Sequence, residues 1–290
     1  MRSLLFVPAD SERKLIRARG AGADALILDL EDGVAFPAKA AARSQAADFL
    51  ADRPAGRAAY VRINDLESGL ADADLDRIVP ARPGGIVLPK AAGGSDVKRL
   101  SAMLAAREAL AGLADGVIGI LPIATESPAA LFTLQSYAGA STRLVGLTWG
   151  AEDLSTALGA EATRDASGEL TDPYRLARAL CLAGASAANV LAIDTVFTRL
   201  RDGTGLEAEA IAARRDGFVG KLAIHPDQVP IINAVFTPSP AAIARAAAVV
   251  QAFAAAAGAG SIAFEGQMLD RPHLRQAERL LARAKAAGLQ

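Results

Sequence analysis

The sequence has one cysteine, two histidines and an aromatic content of only 4% in 290 residues. A lone cysteine, Cys181, excludes an internal disulfide framework and fits a reducing compartment. Nor does either sign of charge prevail, with 31 Lys and Arg against 32 Asp and Glu. The formal net charge is −1 and no Lys/Arg cluster interleaves with aromatics, so a nucleic-acid partner is not expected. No G-x-G-x-x-G turn follows an apolar run, which removes the signature of a dinucleotide fold. There is no long apolar run either. The longest such stretch, residues 241–264, is mostly alanine and is interrupted by Arg245 and Gln251, so it reads as a helix followed by a turn and not as a membrane span. The N-terminal SLLFVPA carries no cleavage-site pattern, so a signal peptide is not expected and the chain is expected in the cytoplasm.

What is present is a chain that is 52% hydrophobic and 22% charged, enough to bury a large core. Runs rich in Val, Ile and Leu recur at residues 4–8, 25–30, 59–63, 85–89, 117–123, 143–148, 190–195 and 218–224. Most are continuously apolar, the mark of strands covered on both faces. Segments with helical spacing lie between them, at 11–19, 39–50, 95–110, 173–188 and 206–215. Eight such units predict an α/β fold, a parallel (β/α)8 TIM barrel over residues 1–237, with a doubly wound open sheet as the competing arrangement. After His225 the pattern changes. Residues 226–236 read as the eighth helix and 240–257 as a further alanine-rich helix. A hairpin-like stretch and a last helix follow. Residues 238–290 are therefore expected to form a C-terminal helical extension packing on the barrel or on a neighbouring subunit.

In such barrels the chemistry sits at the C-terminal ends of the strands. Read there, strand 1 delivers Asp10, strand 2 Asp29, Glu31 and Asp32, strand 3 Arg62 and Asn64, and strand 4 Lys90. Strand 5 delivers Glu126, strand 6 Glu152 and Asp153, strand 7 Asp194 and strand 8 His225. Acids outnumber bases at this rim, so a cation must compensate them or some must stay protonated. A hard divalent ion such as Mg²⁺ takes oxygen ligands and commonly only one or two protein carboxylates, a role that suits Glu126 and Asp153. Structural readings stand beside these. Asp153 and Asp10 could each cap a helix, Arg62 could form an ion pair with Glu31 or Asp32, and Lys90 could be a solvated loop residue. His225 has no second histidine nearby and reads as a rim hydrogen-bonding group. His273 fits the first turn of a surface helix and Cys181 the core. Trp149 either covers the pocket or packs beneath the loop after strand 6. Glu126 precedes Ser127-Pro128, which opens a helix unaided.

The blocks RSLLFVPAD, ADALILDLEDGV, YVRIN, GIVLPK, VGLTWGAEDL, AIDTVFT, GKLAIHPDQV, INAVFTPS and GQMLDRPHLRQAERLLARA, in this order, resemble the citrate lyase beta-subunit-like family. These are CoA-thioester lyases, grouped with the pyruvate-dependent aldolases. One departure is visible: Thr125 stands before the glutamate of strand 5, where an aliphatic residue is usual. The resemblance implies Mg²⁺ held by Glu126 and Asp153, with Mn²⁺ as a substitute, and a substrate carboxylate gripped by Arg62. It implies that Glu31 and Asp32 line the substrate site and that Asp270, in the DRPH block, reaches a neighbouring subunit's site and handles the proton on the acyl carbon. A homotrimer or hexamer is implied with it.

The activity so implied is reversible carbon–carbon cleavage of a 3-hydroxyacyl-CoA thioester into acetyl-CoA and a 2-oxo acid. Arg62 and Asp270 are the expected catalytic groups. Three alternatives stand beside it: a citrate lyase beta subunit acting on citryl groups carried by an acyl carrier protein, a metal-dependent pyruvate aldolase that needs no CoA, and an inactive scaffolding barrel. A phosphate-binding barrel isomerase would show a Gly-rich turn after strand 7 or 8, and AIDTVFTRLRDGTG and LAIHPDQ offer no convincing one.

Overall fold

The structure is a computed structural model that describes residues 1–53, 58–256 and 258–289. Its eight barrel strands are β1 (Ser3–Pro8), β2 (Ala25–Asp29), β3 (Ala58–Arg62), β4 (Gly85–Leu88), β5 (Gly119–Pro122), β6 (Gly146–Thr148), β7 (Leu191–Asp194) and β8 (Gly220–Ala223). All pair in parallel, in the order β5-β4-β3-β2-β1-β8-β7-β6. Isolated bridges from Ile120 to Leu144 and from Ile123 to Thr148 join β5 to β6 and close the ring. The fold is thus the (β/α)8 barrel that the apolar runs predict.

The pleat explains why those runs do not alternate. Leu4, Ile27, Tyr60, Val87, Leu121, Ile193 and Leu222 fill the barrel interior. Their neighbours Leu5, Leu26, Val61, Ile86 and Ala192 face outward into the layer beneath the helices. That outer layer is made by α1 (Glu12–Arg19), α2 (Lys39–Ala51), α3 (Ala71–Ile78), α4 (Gly94–Leu110), α5 (Glu152–Leu158), α6 (Asp172–Ala187), α7 (Gly203–Asp216) and α8 (Gln228–Phe236).

Between β5 and β6 no α-helix follows Pro128. Two 3-10 turns, Ala129–Phe132 and Leu134–Tyr137, take its place. The Thr133 hydroxyl bonds Ala130 O and Ala92 O, and the Ser136 hydroxyl bonds Thr133 O. Such side-chain bonds to nearby carbonyls compete with a helical ladder.

The same pleat corrects the placement of Asp194. It follows inward-facing Ile193 and so points outward, fully buried between sheet and helices. There it accepts from Lys221 Nζ at 2.7 Å and from Trp149 Nε1 at 2.8 Å, with Arg178 Nε 3.4 Å away. Trp149 therefore packs beneath its loop and does not cover the mouth. Asn64 is likewise structural: its N–H and Nδ2 both donate to Asp74. Cys181 is fully buried, as expected.

The C-terminal segment consists of α9 (Pro240–Ala255), an antiparallel hairpin of β9 (Ser261–Phe264) and β10 (Gln267–Asp270), and α10 (Arg271–Ala286). The last residue expected in the first of these helices, 257, lies outside the described residues. Ala246, Val249, Phe253, Leu269 and Ala277 form an apolar cluster of this segment's own. Among the described residues no helix is long and apolar enough to cross a membrane.

Candidate active site

Strand register builds the centre of the site. Asp29 and Arg62 are Cα partners across β2 and β3, and both face inward at the C-terminal end of the barrel. Arg62 Nε and Nη2 each donate to Asp29 at 2.7 Å, a bidentate fork. The guanidinium lies over the Phe6 ring, 4.9 Å from its centroid. Its remaining nitrogen, Nη1, is 2.8 Å from Glu31 Oε2 and 4.0 Å from Asp32 Oδ2. The first of these contacts is off the hydrogen-bond direction, so Glu31 Oε2 is a buried acceptor with no hydrogen bond. Burial alone would lower the Arg62 pKa, but the bonds and charge of Asp29, together with the Glu31 and Asp32 charges, raise it instead.

The turn after β2 is held by the same aspartate. Asp29 accepts from the N–H groups of Glu31 and Gly33, at 2.9 Å each. A Cβ at position 33 would come within 2.3 Å of Asp29 Oδ2, so only glycine lets the backbone close on the carboxylate.

Lys90 joins this pair to the other acids. Its Nζ donates to Glu31 Oε1 at 2.6 Å and lies 3.8 Å from both Asp32 Oδ1 and Asp153 Oδ1. Its backbone N–H donates to Glu126 Oε2. The residue holds φ at +52°, a left-handed conformation that costs a non-glycine residue about 1–2 kcal/mol. Burial works against the charged Lys90, and the Glu31 hydrogen bond and carboxylate outweigh it, so its pKa is raised.

Glu126 is 6% exposed. Burial pushes its carboxyl up to about 8, and the charges of Glu31 and Asp153 push in the same direction against the Lys90 N–H. Burial also raises Glu31 above the usual carboxylate range. The Glu126 pocket depends on Gly150, where a Cβ would meet Glu126 Cγ at 2.9 Å. The Thr125 hydroxyl accepts from Gly150 N–H at 3.2 Å and donates to Gly150 O at 3.3 Å, tying the loop after β5 to the loop after β6. The residue that departs from the family pattern thus acts as a staple between the two acid-bearing loops.

Glu31, Asp32, Arg62, Glu126 and Asp153 therefore converge, and Asp29 and Lys90 join them. Asp153 lies in the first turn of α5, whose N-cap is Ala151, so it is not a cap. Asp10 does not cap α1, which begins after Ser11. His225 stays local: its Nδ1 accepts from Asp227 N–H and approaches Asp227 Oδ2 at 3.5 Å. Asp270 is outside the cluster in the single chain. It is the N-cap of α10, and its side chain pairs with His273 Nδ1 at 2.6 Å, on a residue in that helix's first turn. Asp29 was among the acids at the end of strand 2, but nothing local marked it as the partner of Arg62. That signal is register, visible only when LDLED is laid beside YVRIN with Asp29 opposite Arg62.

Among the described residues no three His, Cys, Asp or Glu side chains are preassembled as a metal-binding group. The donor chemistry nevertheless fits a hard cation. Five carboxylates (Asp29, Glu31, Asp32, Glu126 and Asp153) face two cationic side chains. Glu126 Oε1 accepts no hydrogen bond from the described residues, and the buried Glu31 Oε2 accepts none either, although Arg62 Nη1 lies 2.8 Å away. A site of one or two carboxylates completed by water and substrate oxygens is what Mg²⁺ prefers.

Known proteins share this arrangement of sequence and fold. A profile of the HpcH/HpaI aldolase/citrate lyase family matches residues 2–226. A (3S)-malyl-CoA thioesterase of Cereibacter sphaeroides is 34% identical over 294 residues, covering 98% of this chain and 95% of that protein. The mitochondrial citramalyl-CoA lyase of Rattus norvegicus is 32% identical over 300 residues, covering 98% and 86%. The crystal structure of CitE from Mycobacterium tuberculosis in complex with magnesium, acetoacetate and coenzyme A aligns with a TM-score of 0.78 at 35% identity, covering 98% of each chain.

Proposed function

Because the chain belongs to the HpcH/HpaI aldolase/citrate lyase family, we infer that it is a Mg²⁺-dependent carbon–carbon lyase acting on a 3-hydroxyacyl-CoA thioester of the citryl, malyl or citramalyl type. The products are acetyl-CoA and a 2-oxo acid, and the reaction is reversible. The observation that carries this reading is the excess of buried or half-buried carboxylates at the barrel mouth, gathered around Arg62 and Lys90. The citramalyl-CoA lyase relative and the magnesium, acetoacetate and coenzyme A of the CitE structure supply the substrate class.

Glu126 and Asp153 would hold the ion. When bound, it supplies a Lewis acid for the oxygen that becomes the ketone. Arg62 presents Nη1 to the substrate carboxylate while Asp29 keeps the other two nitrogens in place, which orients the scissile bond. Glu31 and Asp32 line the same space. In cleavage the 3-hydroxyl gives its proton to water at the open mouth, the C2–C3 bond breaks as the C3 carbonyl forms, and the electron pair passes to the thioester as an enolate. The enolate carbon then takes a proton, the step assigned to Asp270 of a neighbouring chain in a homotrimer or hexamer.

The test is a cleavage assay of the purified protein against citryl-, malyl- and citramalyl-CoA, with and without chelator. Release of a 2-oxo acid and acetyl-CoA that stops with chelator is expected. Release of free CoA without acetyl-CoA would instead indicate hydrolysis, as the name of the thioesterase relative describes. Activity only with citryl-acyl carrier protein would mark a citrate lyase beta subunit.

Arg62→Ala is expected to raise KM for the 2-oxo acid in the condensing direction by about 10- to 100-fold, the worth of a hydrogen bond to a charged group. The KM for acetyl-CoA should change far less. Equal losses for both would make Arg62 a structural residue.

A further inference from the structure

We propose that Lys90 is the resident counter-cation of the acid cluster, and that its ammonium must leave Glu31 before a divalent ion can settle, so that Lys90 weakens metal affinity. The inference rests on the lyase reading above, because it takes Glu126 and Asp153 as the residues that hold the ion.

Both nitrogens of one residue touch the cluster. The Lys90 N–H fixes Glu126 through Oε2, and the same residue's Nζ sits on Glu31 and within 3.8 Å of Asp32 and Asp153. The ammonium thus lies between Glu31 and Asp153, in the space where oxygen ligands of a cation would gather. A monovalent charge held there repels an incoming divalent ion and competes with it for the same oxygens. The positions of the two nitrogens follow from the backbone. At φ +52° the residue turns its N–H toward Glu126 and carries its side chain back over the mouth. Strain of this kind persists where the surrounding structure over-determines it, and here two carboxylates do so.

Arg62 cannot play this part. Its fork is committed to Asp29 and its side chain is only 13% exposed. The Lys90 side chain is 38% exposed and has a free path to solvent. Lysine carries its charge on a flexible stem with freely rotating donors, which suits a group that has to step aside.

The test is metal titration of the chelator-treated protein by calorimetry, with MgCl₂ and with MnCl₂, in wild type, Lys90→Met, Lys90→Gly and Lys90→Arg. Lys90→Gly keeps the N–H to Glu126 and relieves the left-handed backbone, so it separates charge from fold. Wild type is expected to bind one ion per chain. Lys90→Met and Lys90→Gly are each expected to bind it about tenfold tighter or more, and Lys90→Arg to bind it as wild type does. The melting temperature of metal-free Lys90→Met should fall, and its rise on adding Mg²⁺ should exceed that of wild type. Unchanged or weaker affinity in a folded Lys90→Gly protein overturns the role of Lys90 while leaving the lyase reading intact. Absence of metal binding by wild type overturns both.

Discussion

Glu126→Gln is expected to lower kcat/KM by about three orders of magnitude or more, the several kcal/mol that a Lewis acid contributes to such a step. The fold should survive. The amide is close in size to the carboxyl, its oxygen can still accept the Lys90 N–H, and Gly150 leaves the same space beside it. What is lost is negative charge at a donor that an ion needs. Full activity in this variant would remove the metal hypothesis.

A pH experiment gives an independent reading. Burial raises the Glu126 carboxyl to about 8 in the metal-free protein, from the ordinary value of 4.5. Between those values the folded chain binds a proton that the unfolded chain does not. The stability contributed by that proton is fully present below the unfolded value and is lost as pH rises through about 8. Metal-free wild type should therefore lose stability across this window, while metal-free Glu126→Gln, which cannot titrate there, should show a flatter profile. Above pH 8 the variant is expected to melt several degrees higher than wild type, on the scale of about 2–4 °C per kcal/mol for a chain of this order of size. Metal affinity of wild type should rise over the same window, because the ligand must be deprotonated. Parallel melting profiles for the two proteins would show that the Glu126 carboxyl is already ionised.

The division between what was legible in the sequence and what was not follows the range of the interactions. The barrel was legible because most strands are continuous apolar runs bounded by turns, and the pleat buries both faces of them. The placement of Glu31, Arg62, Glu126 and Asp153 at one rim followed from the same strand ends. The Asp29–Arg62 fork was not legible, because register across two strands decides it and no local pattern records that register. Lys90 stood open as a loop lysine because its place depends on a left-handed backbone and on Glu126, thirty-six positions away. Helix α3 is short, and its buried Leu75 and Ile78 are set among three aspartates, so apolar spacing marks it weakly. Asp194 was misplaced for the opposite reason. It ends a strand as Asp29 does, but one pleat step turns it toward Lys221 and Trp149 and away from the mouth.

Asp270→Asn is expected to lower kcat by about 10²- to 10⁴-fold, the usual worth of a positioned acid or base, with little change in KM or metal affinity. The choice of asparagine matters. Asp270 is the N-cap of α10, and Asn caps a helix about as well as Asp, whereas Ala would cost about 0.5–2 kcal/mol and confuse stability with chemistry. The structure also bears on where the residue acts. Leu269 points into the apolar cluster of the C-terminal segment, so Met268 and Asp270, on either side of it in β10, share the opposite face of the hairpin. Met268 is an apolar side chain 75% exposed among the described residues, and the Asp270 side chain is 47% exposed. That face is free to meet another surface. Mixing chains then decides the matter. Glu126→Gln and Asp270→Asn proteins, each inactive alone, are unfolded, mixed in equal amounts and reassembled. If the aspartate serves a neighbour's site in a closed ring, about a quarter of the sites combine an intact mouth with an intact tail, and about that fraction of activity returns. If it serves its own chain, every site carries one defect and no activity returns.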